Sequence, residues 1–171
     1  MSKVFDWAVD IIIRVDGGQY SDDPNDPSSE RSFGISKRSF PKEDIWGLTC
    51  ERAVELYRTH YWEAIRGDDL PPSLALIVFD GAIEQTIRAA IVDLQQALRV
   101  PTDGIMGPVT LITAQHAGGL LGEIIVEVLA RRAVRYAQSP VFAVWGKSWM
   151  RRLFLVYQAV RPEELVLEVK A

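Results

Sequence analysis

One cysteine, Cys50, among 171 residues leaves no intrachain disulfide and gives no sign of a secreted disulfide scaffold. The only two histidines, His60 and His116, share no motif with Cys50, so a Cys–His nucleophile has no basis. Cys50 is expected to pack at a helix start. HExxH and Cys/His metal spacings are absent, and the D-D-P-N-D run of residues 22–26 lacks the glycine and closing glutamate of a calcium loop. No metal and no cofactor are therefore expected. Phosphate-loop and dinucleotide fingerprints, internal repeats and low-complexity tracts are missing too. No apolar run approaches the length of a membrane span, so no membrane insertion is expected. Asp6 and Asp10 interrupt the first apolar stretch and no small-residue cleavage site follows, which predicts a protein made in a cytoplasm without a secretory signal. A formal net charge of −4 without a basic cluster argues against nucleic acid as a partner. The doublets Arg131-Arg132 and Arg151-Arg152 read as solvated helix faces.

An apolar fraction of 48% with 25% charged residues describes a globular chain long enough for one domain or two small lobes. Phe5, Ala8 or Val9, Ile12 and Val15 recur at the spacing of one helix face, and Gly17-Gly18 reads as the stop. Thr49 is the expected N-cap of a helix with Ala53, Leu56 or Tyr57, Ile65 and the Tyr61-Trp62 pair inside. Pro71-Pro72 opens a stretch, L-A-L-I-V-F-D-G-A-I, that is apolar nearly all round and predicts the central buried helix. Helices are expected over 88–98, 109–117, 120–136 and 148–160, the last preceded by Phe142 and Trp145. Between 101 and 108, Asp103-Gly104, Gly107 and Pro108 make a tight turn. Beyond Pro162, E-E-L-V-L-E-V-K-A alternates charged and apolar residues, in the manner of a strand added to a partner or of a disordered tail.

The segment from Val15 to Ile35 is dense in Asp, Gly, Pro and Ser, residues that bend backbone and bond to it locally. Asp16 falls in the last turn of the first helix, where the negative end of the helix dipole favours a carboxyl that keeps its proton. Asp26 follows in a more open, polar setting and is expected to stay ionised. Two carboxyls with separated pKa values are what a glycosidase uses: one protonates the leaving oxygen, the other activates water or stabilises the cationic sugar. An ordinary helix end followed by an Asx turn reads the same residues without any chemistry. Glu84, at the end of the central helix, is a further carboxylate near the expected cleft wall, although a solvated helix end is the favoured account of it.

The run V-D-G-G-Q-Y-S-D-D-P-N-D-P-S-S-E-R-S-F-G-I-S resembles the opening motif of glycoside hydrolase family 108, the phage endolysin-type lysozymes. The likeness continues through L-T-C-E-R-A-V-E-L-Y, Y-W and L-P-P-S-L-A-L-I-V-F-D. It then passes into L-Q-Q-A-L-R-V-P-T-D-G-I-M-G-P-V-T-L, which resembles the peptidoglycan-binding region that follows in that family. An F-x-x-G-W-x-x-R pattern near the end is matched by Phe142, Gly146, Trp149 and Arg152 with altered gaps. The resemblance matches the family's catalytic Glu to Asp16, its Gly-Gly to Ser28-Ser29 and its water-orienting Thr to Arg31. Glu84 and Thr86 stand where the family has Asn-x-Gly. Shortening the acid by one methylene withdraws the carboxyl by roughly 1–1.5 Å, and a displacement of about 1 Å can cost on the order of a hundredfold in rate. Arg cannot accept a hydrogen bond, so Arg31 cannot orient water as a threonine does.

The expectation is a mainly α, lysozyme-like fold with at most a small β-hairpin near Phe33 to Ser36. It comprises a catalytic-type region over 1–72, a helical peptidoglycan-binding-type region over 73–160 packed on it, and a tail over 161–171. The implied function is that of a phage or prophage endolysin-like protein acting on cell-wall peptidoglycan, of N-acetylmuramidase ancestry with weak or lost hydrolysis. The alternative is a pseudoenzyme kept as a structural or binding component of a phage virion or tail. Asp16 and Asp26 are the catalytic candidates; Tyr20, Arg31, Tyr61, Trp62 and Glu84 are the substrate-binding ones. The implied partners are glycan strands and phage virion or tail proteins, reached through a holin or a phage particle.

Overall fold

The computed structural model describes residues 2–16, 18, 20–22 and 30–161. Within them the chain forms α1 (Lys3–Asp16), a hairpin of β1 (Arg31–Ser32) and β2 (Ile35–Ser36), and then α2 (Cys50–Tyr57), which runs on into a π-helical turn, Arg58–Trp62. After a 3-10 turn at Gly67–Asp69 come α3 (Pro72–Glu84), α4 (Ile87–Leu98), α5 (Pro108–Gln115), α6 (Leu121–Ala137) and α7 (Phe142–Val160). This is the mainly α, lysozyme-like fold that the sequence predicts, with its single small hairpin.

The apolar run of α3 explains the architecture. Residues Leu74 to Ala82 are all buried, so this helix has no solvent face and must be enclosed. It packs against α1, α4, α6 and α7, while α6 and α7 also pack on each other. From α1 the face Phe5, Ala8, Val9 and Ile12 turns inward at helical spacing. Local signals set the boundaries: Thr49 Oγ1 accepts from the Arg52 amide at 3.2 Å, and Thr86 Oγ1 from the Ala89 amide at 3.1 Å. Thr86 thus serves as the N-cap of α4.

Four sequence expectations need correction. The last helix begins at Phe142, six residues earlier than expected, so Phe142, Trp145, Trp149 and Arg152 all lie on α7. The helix beginning at Cys50 does not continue regularly to Ile65, because the π-helical turn adds a residue and rotates Trp62 into the core. There its ring meets Phe5 and Phe79 edge-on, each at 5.3 Å, and its Nε1 donates to Asp68 Oδ1 at 3.0 Å. The arginine doublets are not solvated as pairs: Arg132 and Arg152 are buried. Cys50, expected to pack, is exposed.

Candidate functional site

Asp80, in the middle of α3, is completely buried and holds the protein's interior charge cluster together. Arg132 of α6 reaches its Oδ2 at 2.8 Å, and Arg152 of α7 reaches its Oδ1 through Nη2 at 2.7 Å. Burial alone would raise the Asp80 carboxyl, but the guanidiniums of Arg152 and Arg132 outweigh it and hold it below the ordinary carboxylate range. Arg132 also donates to the Tyr136 hydroxyl at 3.1 Å.

Arg152 carries this interior cluster to the surface. Its Nη1 donates to Asp16 Oδ1, at the end of α1, and lies 3.4 Å from Glu84 Oε1. Asp16 is thus the last residue of its helix, as expected, but its Oδ1 is held by a guanidinium that the helix end alone does not predict. Its Oδ2 is buried without a hydrogen-bond partner among the described residues. Gly34 explains why the fit is so close. With a φ of +79°, it sits in the hairpin turn where a Cβ would fall 2.4 Å from both Asp16 Oδ2 and the Tyr57 hydroxyl oxygen. The Tyr57 hydroxyl donates to the Phe33 carbonyl at 2.9 Å, fixing that turn against α2. Burial, then the Asp16 charge, pushes this phenol well above its ordinary value, so it stays neutral.

Around Asp16 run two adjoining hollows of about 580 and 290 Å³, which share Asp16, Arg31, Gly34, Glu84, Trp145 and Trp149. Tyr20, Ser21, Ser148, Arg151 and Arg152 line the larger; Ser36, Arg38, Ser39, Tyr57 and Tyr61 line the smaller. The cleft therefore runs between the hairpin and α7. A ladder between Ser21 and Arg31, with N–H to O distances of 2.9 and 2.8 Å, holds the returning loop on the hairpin. At the lip, Tyr20 packs edge-on against the exposed Trp46 at 4.7 Å and donates to Glu30 Oε2 at 3.0 Å. Across the cleft, Trp149 stacks on Tyr136 at 4.9 Å.

The structure brings Asp16, Tyr20, Arg31, Tyr61 and Glu84 to this cleft and excludes Trp62, whose indole is enclosed by the core and cannot meet a sugar. Asp26, Ser28 and Ser29 lie outside the described residues. Glu84 corrects the solvated reading: only 22% of its side chain is exposed. Burial, with Asp80 and Asp16 nearby, raises its carboxyl above the ordinary range against the opposing pull of Arg152. A group raised by folding stabilises fully below its unfolded pKa, and its contribution is lost as pH rises through the folded value. Glu84→Gln should therefore match wild type in melting temperature at pH 4 and exceed it at pH 8, as read by thermal denaturation at both pH values.

Sequence reasoning missed Trp145, Arg38 and Arg151 as cleft residues. Starting the last helix at Phe142 places 145, 148, 149 and 152 on one face, which is the signal that would have found the α7 wall.

The Asp103-Gly104 turn has a structural explanation. Buried Gln95 donates through Nε2 to Asp103 Oδ1 at 2.7 Å and to the Ile105 carbonyl at 3.0 Å, and its Oε1 accepts from the Gly104 amide at 2.8 Å. Those bonds use the turn's polar groups inside the fold. Gln95→Ala should lower unfolding free energy by about 2 kcal/mol in urea titration, since it strips several partly buried groups of partners at once.

Among the described residues no group of three His, Cys, Asp or Glu is placed to hold a metal, and no single helix is long and apolar enough to cross a membrane. With that geometry in hand, comparison with known proteins is informative. Residues 9–85 match the sequence profile described as Glycosyl hydrolase 108, a stretch from α1 through α3 that contains Asp16, the hairpin and Glu84. Over these residues the chain is similar to the glycosyl hydrolase 108 family. A solved structure of SagA from Brucella abortus superposes with a TM-score of 0.83 at 28% identity, over 91% of this chain and 92% of that one. No curated protein matches the chain. The likeness to this family and to SagA supports a lysozyme-type protein directed at peptidoglycan.

Proposed function

We propose that the chain is a peptidoglycan N-acetylmuramidase of low turnover, with Asp16 in the position of the proton-donating acid. The observation that carries this reading is the place of Asp16 at the base of the hairpin–α7 cleft, with Arg152 on its Oδ1. A glycan lying along both hollows crosses this carboxyl, which would protonate the glycosidic oxygen as the sugar takes on oxocarbenium character. Glu84 is not the second carboxylate of an inverting pair. Its Oε1 and Asp16 Oδ1 both reach the same Nη1, and so lie closer together than the roughly 6.5–9.5 Å that leaves room for an attacking water. The base or stabilising role goes with the resemblance to Asp26, which lies outside the described residues. Low turnover follows from the shortened acid and from Arg31, which lines both hollows.

Arg31 also favours a second reading, in which hydrolysis is lost and the cleft only holds strands, as a phage virion or tail component would. In either reading a holin or a phage particle delivers a protein made in a host cytoplasm. Reducing-end release from purified peptidoglycan, measured alongside co-sedimentation, separates them. Slow release by the wild type that disappears in Asp16→Asn with binding retained supports the muramidase. Binding without any release selects the second reading, and no binding at all removes both.

A further inference from the structure

Charge in this chain is unevenly placed. The formal net charge is −4, and Arg14, Arg52, Arg66 and Arg135 each lie against an acidic side chain. The cleft reverses this. Arg38 lines the smaller hollow and Arg151 the larger; both are exposed, and neither has an acidic partner among the described residues. The two hollows meet at Asp16 and Glu84, so a cation stands on each side of the acid centre. The negative charge of that centre is itself answered by Arg152. A neutral glycan offers Arg38 and Arg151 only hydroxyl and amide oxygens, with no charge to answer theirs. A carboxylate receives a guanidinium as a planar, two-pronged donor, the geometry arginine matches best.

We propose that Arg38 and Arg151 are specificity residues that receive carboxylates carried along the glycan strand, so that the cleft selects carboxylated over neutral strands. This rests on the reading of the cleft as a glycan site and adds the substrate feature it recognises. Peptidoglycan offers two sources of that chemistry: the carboxylates of its stem peptides, and the lactyl carboxylate of each muramic acid freed when the peptide is removed. Chitin has the same backbone linkage and neither group.

The test is co-sedimentation of the full chain with four insoluble glycans. They are intact peptidoglycan, peptidoglycan stripped of stem peptides by an amidase, peptidoglycan whose carboxyls are blocked as neutral amides, and chitin. Wild type should bind the intact polymer about tenfold more tightly than the blocked polymer or chitin, and should lose that margin as salt is raised. In the intact polymer the lactyl carboxyl is tied up as an amide, so the margin there reads the stem-peptide carboxylates. The amidase-stripped polymer adds the other source: retained binding shows that the freed lactyl carboxylate is received as well, and lost binding that the stem peptide alone is. Arg38→Gln with Arg151→Gln should abolish the margin, and Arg38→Lys with Arg151→Lys should restore part of it. Both side chains are exposed, and an unchanged melting temperature verifies the fold. Equal binding to chitin and intact peptidoglycan, or a double Gln variant that keeps the margin, overturns the proposal while leaving the glycan cleft standing. Binding to none of the four overturns the glycan reading as well.

Discussion

Asp80→Asn is expected to cost about 3–5 kcal/mol of folding stability, which for a domain of this size lowers the melting temperature by roughly 10 °C. The carboxylate is enclosed in α3, ion-paired with Arg132 at 2.8 Å and accepting from Arg152 Nε at 2.7 Å, two guanidiniums that are themselves buried. Asparagine keeps the volume but not the charge. Arg132 then remains in the interior with no anion against it, and Arg152 keeps only Asp16 and Glu84 on its outer side, a damaging way to break a buried pair. The sign of the pH dependence follows from the direction of the shift. A carboxyl held below its unfolded value stabilises fully above that value and loses its contribution as pH falls through the folded one. The gap between wild type and Asp80→Asn in urea titration should be full at pH 7 and shrink progressively below about pH 4. A gap that stays constant down to pH 3 would show that the side chain matters for its shape rather than its charge.

The same arrangement ties stability to the site. Arg152 donates to Asp80 through Nε and to Asp16 through Nη1, with Nη2 ion-paired to Asp80, so one planar group orients the cleft carboxyl from the core outward. A loss of Asp80 should therefore disturb the cleft as well as the fold, and the family-like position of Asp16 depends on a residue far beyond residues 9–85.

Much of this was legible in the sequence because helix periodicity reports burial directly. Phe5, Ala8, Val9 and Ile12 lie where their spacing places them, and the all-round apolar stretch after Pro72 is the enclosed helix. The small hairpin expected near Phe33 to Ser36 is there, and it turns at Phe33 and Gly34, both in the left-handed region. Charge was harder to read. Arg132 shares a helix face with Ile125, Val128, Leu129 and Tyr136, so its inward direction was already written in the pattern, yet a doublet of arginines looks solvated in isolation. What the pattern lacked was a partner, and Asp80 lies on a different helix, as it does for Arg152, 72 residues further along the chain. An aspartate within an apolar run requires such partners, and the chain's only means of supplying them is long-range. For Trp62 the helix pattern read the inward direction correctly, and it is the sugar-contact role that falls, because the ring beside the π-helical turn is wholly enclosed.

Asp16→Glu is expected to raise reducing-end release on the order of a hundredfold, with a further gain when it is combined with Arg31→Thr. A general acid must come within hydrogen-bonding reach of the oxygen it protonates, about 2.6–3.2 Å. Asp16 is set back from that position. Its Oδ1 is held by Arg152, and its Oδ2 packs toward Gly34 and the Tyr57 hydroxyl, in the wall rather than the open cleft. One added methylene carries the carboxyl toward the glycan while Arg152 remains within reach of it. Arg31→Thr removes a cation from a side chain that lines both hollows and supplies a hydroxyl able to accept from the attacking water. Because acid and water act in one transition state, the two changes should be non-additive, with Arg31→Thr alone giving little and the pair more than the product of the singles. The gain should fall in kcat with KM unchanged, since reach to the reacting oxygen matters only as the bond breaks. A Glu variant that binds peptidoglycan as wild type does yet releases no more ends would show that acid length is not what limits this cleft, and would leave the missing water-side groups as the cause.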